Sequence, residues 1–176
     1  MGKKLKIGII GTHGTGKTSL SYQLAAYYKK IGKTVKIIQE VARSCPFPIN
    51  QHMTIDSAKW IYLEHSKKEL EAIKSNVIVS DRSIFDSFIY SEYFDISDSE
   101  VEDYKKIALK NLQSYDKLIF VRPDMPIFAD GLRSVDTEFQ LSIDSLFEKY
   151  LSKMQKIEIP STAIFGDDDE WMNYYQ

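Results

Sequence analysis

Eight consecutive residues, Gly11-Thr12-His13-Gly14-Thr15-Gly16-Lys17-Thr18, match the pattern G-x-x-x-x-G-K-[ST] in full. These residue types share a chemical purpose. Glycines let the backbone curl until successive N–H groups point inward, which makes a cradle for phosphate oxygens. A helix beginning near Lys17 adds its positive N-terminal end to that cradle. The Lys17 ammonium can reach the β- and γ-phosphates of ATP, and the Thr18 hydroxyl can complete the shell of a Mg²⁺ ion. The expected nucleotide-binding set is therefore Gly11, Thr12, His13, Gly14, Thr15, Gly16, Lys17, Thr18 and Ser19. Within it, His13 is read as a variable position whose side chain points outward. The spacing is not G-x-G-x-x-G, so a dinucleotide site is not supported.

Two further stretches bring acid and arginine together: Gln39-Glu40-Val41-Ala42-Arg43 and Asp81-Arg82-Ser83. Each follows a short apolar run, VKII and VIVS, that reads as a strand. In an open α/β sheet, ligand groups gather beyond the carboxyl ends of the strands. A carboxylate there can hold Mg²⁺ through water or accept the proton of an attacking hydroxyl. Arg82 can clamp phosphate oxygens with its planar fork. The bland alternative is a surface pair in which Asp81 caps a helix and Arg82 is solvated. A polar connection, PDMPIFADGLRSVD, carries Arg133 and reads as a lid over about 123–137 that excludes water and completes the cation clamp. Its alternative is a solvated loop with Arg133 paired to Asp136 or Glu138.

Elements that alternate in period must position these groups. Strand candidates are Leu5 to Ile10, Val35 to Ile38, Val77 to Ser80, Leu118 to Val121 and Lys156 to Ile159. Between them lie helical patterns: one from Lys17, with Leu20, Leu24, Tyr28 and Ile31 in register and Gly32 as its stop. Another runs from a cap at Asp56 to about Lys74, with Ile61, His65 and Leu70 turned inward. Further helices are read over 84–94, 98–114 and 137–154, with a short one near Trp171. Strands alternating with helices imply right-handed crossovers and a parallel sheet. The fold class is α/β: a three-layer P-loop NTPase fold, a five-stranded parallel sheet with helices on both faces. Residues 1–176 read as one domain.

Composition sets the bounds. The chain of 176 residues is 43% hydrophobic and 27% charged with a net charge of −2, which leaves no basic excess for non-specific nucleic-acid binding. One cysteine, Cys45, allows no intrachain disulfide. No stretch approaches the roughly 18 apolar residues of a membrane span. The expected compartment is the cytoplasm, and the composition is compatible with a homodimer. His52 and His65 read as surface or helix-packing residues. Phe47, between two prolines, reads equally as a ring that stacks on an acceptor or as a loop anchor in the core.

Together the phosphate loop, E-V-A-R and D-R-S resemble deoxyribonucleoside kinases, which carry a Glu-Pro-Val-Ala-Arg-like segment and Glu-Arg-Ser in the same order. Thymidylate kinases carry Asp-Arg at the second place. Asp130 to Arg133, D-G-L-R, is similar to the lid of the ribosylnicotinamide kinase domain of NAD-biosynthesis regulators. The whole layout, CPFPIN included, resembles small AAA-type ATPases related to that domain. The resemblance implies Glu40 as general base, Arg82 as the family's arginine, and a border of the adenine near Gly166 to Asp169. Val41 stands where nucleoside kinases have proline, and Trp171 where related kinases often have arginine.

The reading that follows is an ATP- and Mg²⁺-dependent kinase acting on a small nucleoside or nucleotide acceptor. Its catalytic set is Lys17, Glu40, Asp81, Arg82 and Arg133, and its metal set Thr18 and Asp81. Two other classes compete: an ATP-driven switch or motor acting on a partner, and a nucleotide-holding sensor. A motor usually adds a helical lid domain, and the guanine-reading N-K-x-D of GTP switches does not fit VRPD after the fourth strand. The two acidic strand ends favour chemistry over sensing.

Overall fold

In a computed structural model, residues 4–96, 99–127, 135–166 and 169–175 are described. Five strands form one sheet: β1 (Leu5–Ile10), β2 (Val35–Ile38), β3 (Val77–Asp81), β4 (Lys117–Arg122) and β5 (Ile157–Pro160). Their spatial order is β2-β3-β1-β4-β5, and every pairing is parallel. The helices are α1 (Lys17–Lys30), α2 (Ile55–Glu71), α3 (Ile84–Tyr93), α4 (Ser99–Leu112), α5 (Thr137–Leu151), α6 (Ser161–Phe165) and α7 (Met172–Tyr175).

Strand side chains alternate between two cores, as the period of a strand requires. Ile7, Ile9, Ile119 and Val121 join Leu20 and Leu24 of α1 in one. Ile10, Leu118 and Phe120 join α3, α4 and α5 through Phe85, Ile89, Ala108, Ile143 and Phe147 in the other. Both faces of the sheet are thus covered, which is why its strands read as nearly continuous apolar runs. Gly8 is fixed by packing. A Cβ there would lie 2.9 Å from the Tyr115 ring.

Helix starts differ in detail from the sequence expectation. Thr54, not Asp56, caps α2: its side chain accepts from Ser57 N while Ser57 Oγ accepts from Thr54 N. Asp81 is no cap; it ends β3, and Ser83 caps α3 in a reciprocal box with Asp86. On α2, Ile61 and His65 are buried as expected, but Leu70 is 72% exposed, because a single helix face cannot bury all three against this sheet. Ile31 is also exposed, since it is the C-cap of α1 rather than part of its buried stripe. Trp171 is drawn into the α1-side core and packs against Tyr175. Among the described residues, no helix is long and apolar enough to cross a membrane.

Candidate active site at the carboxyl edge of the sheet

Register brings the separate motifs together. Ile9 of β1 lies opposite Asp81, so the loop leaving β1 emerges beside Asp81-Arg82. Ile38 of β2 lies opposite Ser80, so Glu40 and Arg82, each two residues further on, fall side by side. Three segments remote in sequence therefore meet at one sheet edge.

The loop has the conformation its glycines permit. Gly11, Gly14 and Gly16 hold φ of 135°, 73° and 81°, values that L side chains adopt only with strain. At Gly11 a Cβ would also press on the Val121 carbonyl oxygen at 2.6 Å. Lys17 is buried and folds back over its own loop, donating to the Thr12 carbonyl and, at 3.1 Å, to Thr15 Oγ1. Thr18 Oγ1 donates to Asp81 Oδ2 at 2.6 Å. Burial raises the Asp81 carboxyl above its usual range, a trend the Thr18 hydrogen bond opposes and the nearby Glu40 charge reinforces. A hydroxyl and a carboxylate in direct contact at a phosphate-loop helix are hard oxygen donors that suit Mg²⁺ shared with phosphate. The residues present thus fit the ion.

Beside this pair, Arg82 is the hub of an ion network. Its Nε lies 2.5 Å from Glu40 Oε1, and its Nη1 lies 3.4 Å from both Asp86 Oδ1 and the Gly11 carbonyl. Burial alone would weaken the Arg82 charge, but Glu40, Tyr90 and Asp86 outweigh it and hold the guanidinium firmly protonated. Its backbone has a φ of 79°, unusual for a residue with a side chain. Ser80 Oγ braces that turn by donating to the Arg82 carbonyl at 2.7 Å, and His65 Nε2 lies 3.2 Å from the same hydroxyl. Glu40 Oε2 meanwhile accepts from Arg43 Nε at 2.9 Å.

His13 corrects an expectation. Its side chain turns inward, with Nδ1 3.1 Å from the Tyr90 hydroxyl and its ring 4.9 Å from that of Phe139. The outward direction is closed because α5 lies against the loop. Gln140 Nε2 donates to the His13 carbonyl at 2.8 Å, and Thr12 Oγ1 donates to the Gln140 carbonyl at 3.0 Å. Phe47 is 40% exposed, so it is no core anchor, and it lines neither cavity described next.

Two cavities flank Glu40. An open cleft of about 690 Å³ runs along Gly14, Gly16, Thr18, Ser19 and Asp81, with Phe165 and Met125 at its rim. A second cavity, about 50 Å³ and roomy enough for a few waters, is lined by Val41, Ile49, Met53, Arg82, Asp86 and Tyr90 among others. Glu40 lines both. Of the expected catalytic residues, Lys17, Glu40, Asp81 and Arg82 thus share one site. Arg133 and the Asp130–Ser134 stretch lie outside the described residues, as do Asp167 and Asp168.

Sequence reasoning missed Asp86, Tyr90 and Gln140. The first two had a signal: Ser83-x-x-Asp86 is a capping-box spacing, and Arg82, Asp86 and Tyr90 recur at i+4. Gln140 had none, because its partners are 127 and 128 residues away.

A family profile described as an AAA domain matches residues 6–165. The chain belongs to that family. Curated protein sequences give no significant match. Solved structures resemble this AAA domain in fold. Thymidylate kinase from Ehrlichia chaffeensis has a TM-score of 0.70 at 18% identity, covering 99% of this chain and 96% of that one. Deoxyadenosine kinase from M. mycoides with bound dATP has 0.63 at 17% identity, covering 96% of each. NadR protein in complex with NR has 0.69 at 15% identity; 97% of this chain is covered but only 51% of that one. The AAA domain therefore spans about half the length of the NadR structure. The resemblance to P-loop nucleoside and nucleotide kinases extends to the whole fold.

Proposed function

We propose that the protein is a Mg²⁺-dependent kinase that moves the γ-phosphoryl group of ATP to a small nucleoside- or nucleotide-type acceptor. The observation that carries this reading is the position of Glu40, a carboxylate shared by the phosphate-loop cleft and the smaller cavity behind it. ATP lies in the open cleft with its phosphates in the loop. Thr18 and Asp81 would hold the metal, which would supply charge neutralisation on the phosphates. Lys17 unfolds from the Thr12 carbonyl onto those oxygens. Arg82 stabilises charge on the transferred group, with Arg133, outside the described residues, as the second candidate cation. Such transfer is mainly a matter of position and electrostatics. The acceptor is assigned to the cavity lined by Val41, Ala42, Ile49 and Asn50 beside Glu40.

The test is ATP consumption with Mg²⁺ against nucleosides, nucleoside monophosphates and nicotinamide riboside, with phosphorylated products separated. One acceptor that gains phosphate supports the kinase. ADP release with no phosphorylated product points instead to an ATPase that works on a macromolecular partner.

A further inference from the structure

Resting on the reading of Arg82 as the arginine that stabilises charge on the transferred group, we propose that Ser80 and His65 are positioning residues for it. A buried hydrogen-bond chain from α2 holds the Arg82 backbone in the conformation that aims its guanidinium between Glu40 and Asp86. A φ of 79° is left-handed, a region that residues with a side chain rarely adopt and that persists only where the surroundings fix it. Both polar groups of this main chain are fixed. The Arg82 N–H donates to the Ile9 carbonyl of β1 at 2.9 Å, and the Arg82 carbonyl accepts from Ser80 Oγ at 2.7 Å. From that backbone the guanidinium reaches Glu40 at 2.5 Å, and Asp86 and the Gly11 carbonyl at 3.4 Å.

Donor counting gives the chain its direction. A hydroxyl has one proton, and Ser80 gives it to the Arg82 carbonyl. The Ser80 oxygen therefore accepts from His65 Nε2, 3.2 Å away, which puts the imidazole proton on that nitrogen. Glu69 Oε1 lies 3.4 Å from the same nitrogen and favours the proton there. Glu69 is itself held by Lys6 Nζ at 3.0 Å, by Asn111 Nδ2 at 3.0 Å and by the Tyr115 hydroxyl at 2.5 Å. The chain thus runs from a fixed carboxylate through an imidazole and a hydroxyl to the left-handed peptide. Ser80 is fully buried and lines neither cavity beside Glu40, so it acts on a ligand only through Arg82. His65 is almost as buried, although its ring forms part of the wall of the smaller cavity. A cation that must meet a developing charge gains from such bracing, because a misplacement of about 1 Å costs roughly 100-fold in rate.

Ser80→Ala, His65→Phe and His65→Gln in the full chain test this with two readouts. The first needs no ligand: hydrogen exchange of the Arg82 Nε–H followed by ¹⁵N NMR, a resonance assignable because the chain has only four arginines. The second is turnover at saturating ATP with Mg²⁺, offered nucleosides, nucleoside monophosphates and nicotinamide riboside in turn, beside the KM for ATP. In Ser80→Ala and His65→Phe the Nε–H should exchange about tenfold faster or more, and turnover should fall roughly 10–100-fold with the KM for ATP within about twofold. His65→Gln keeps an N–H donor near the place of Nε2 and should stay within about threefold of wild type in both readouts. Unchanged exchange in a folded Ser80→Ala overturns the proposal, as does faster exchange at undiminished turnover. Equal damage from His65→Gln and His65→Phe also overturns it. Loss of the fold in Ser80→Ala and His65→Phe alike does the same, because the chain would then support the core and not the arginine. Faster exchange in the variants with no transfer by the wild type defeats the kinase reading alone and leaves the positioning of Arg82 standing.

Discussion

The Thr18 hydroxyl and the Asp81 carboxylate meet at 2.6 Å although 63 residues separate them. One belongs to the first turn of α1 and the other to the last residue of β3, and parallel pairing of β1 with β3 brings them together. The contact makes the metal requirement testable. Asp81→Asn keeps the shape but removes the charge, so affinity for Mg²⁺-ATP should fall tenfold or more, roughly the effect of losing one partly buried charge partner. Affinity for ATP measured in EDTA should change little. Equal loss in both titrations would remove Asp81 from the metal site.

Lys17→Ala should lower phosphoryl transfer by roughly 10²–10³-fold, the usual effect of removing one donor from a preorganised charge-stabilising set. The ligand-free protein should melt within a few degrees of wild type, because the Thr12 carbonyl still accepts from Thr15 Oγ1 at 3.2 Å, and losing one of its two hydrogen bonds costs only about 1 kcal/mol while a buried ammonium is removed. Thermal melts beside single-turnover assays decide this. Collapse of the fold would show that the lysine serves the loop itself and not the ligand.

Glu40→Gln should cut turnover by about 10²–10⁴-fold while leaving the ATP dissociation constant within a few-fold. Asp86 remains on Arg82 in this variant, so the guanidinium is not stranded and the stability loss should stay at about 1–3 kcal/mol. Matching losses of turnover and ATP affinity would argue against a role at the acceptor.

Gln140→Ala removes the side-chain donor that braces the His13 carbonyl. Loss of a hydrogen bond worth about 1 kcal/mol should weaken ATP binding about fivefold with turnover at saturation nearly kept. A drop in turnover alone would show that the brace acts on chemistry and not on loop shape.

Acid stability should depend on Glu69. Burial pushes its carboxyl up, but hydrogen bonds from His65 and Tyr115 and the Lys6 charge outweigh this and bring it down to about 2 from a usual 4.5. A depressed acid pKa gives stability that is complete above pH 4.5 and is lost as pH falls toward 2. The amount is about 3 kcal/mol by linkage. Urea unfolding across that range should show the loss in wild type and a flatter profile in Glu69→Gln.

What was legible in the sequence was whatever depends on neighbours along the chain. The phosphate loop could be read because its glycines and Lys17-Thr18 act within eight residues. Strands β1 to β5 were found to within a residue or two because β1, β3 and β4 are buried on both faces and stand out as apolar runs, while edge strands β2 and β5 keep β-branched residues around one exposed charge. The meeting of Glu40 with Arg82 was expected in outline only, since it follows from the register of β2 on β3. His13 was misjudged because the pattern says nothing of what packs outside the loop, and that surface is Phe139 and Gln140 of α5. Leu70 was misjudged because, nine residues after Ile61, it falls on the opposite face of α2 from Ile61 and His65.

The brace from α5 also bears on biosynthesis. The phosphate loop is complete in the chain by residue 18, yet β1 needs β3 and β4 on either side and the His13 carbonyl waits for Gln140. A ribosome must emit the chain through Gln140 before the loop has these supports. A loop made early in the chain is thus among the last parts to gain its supports.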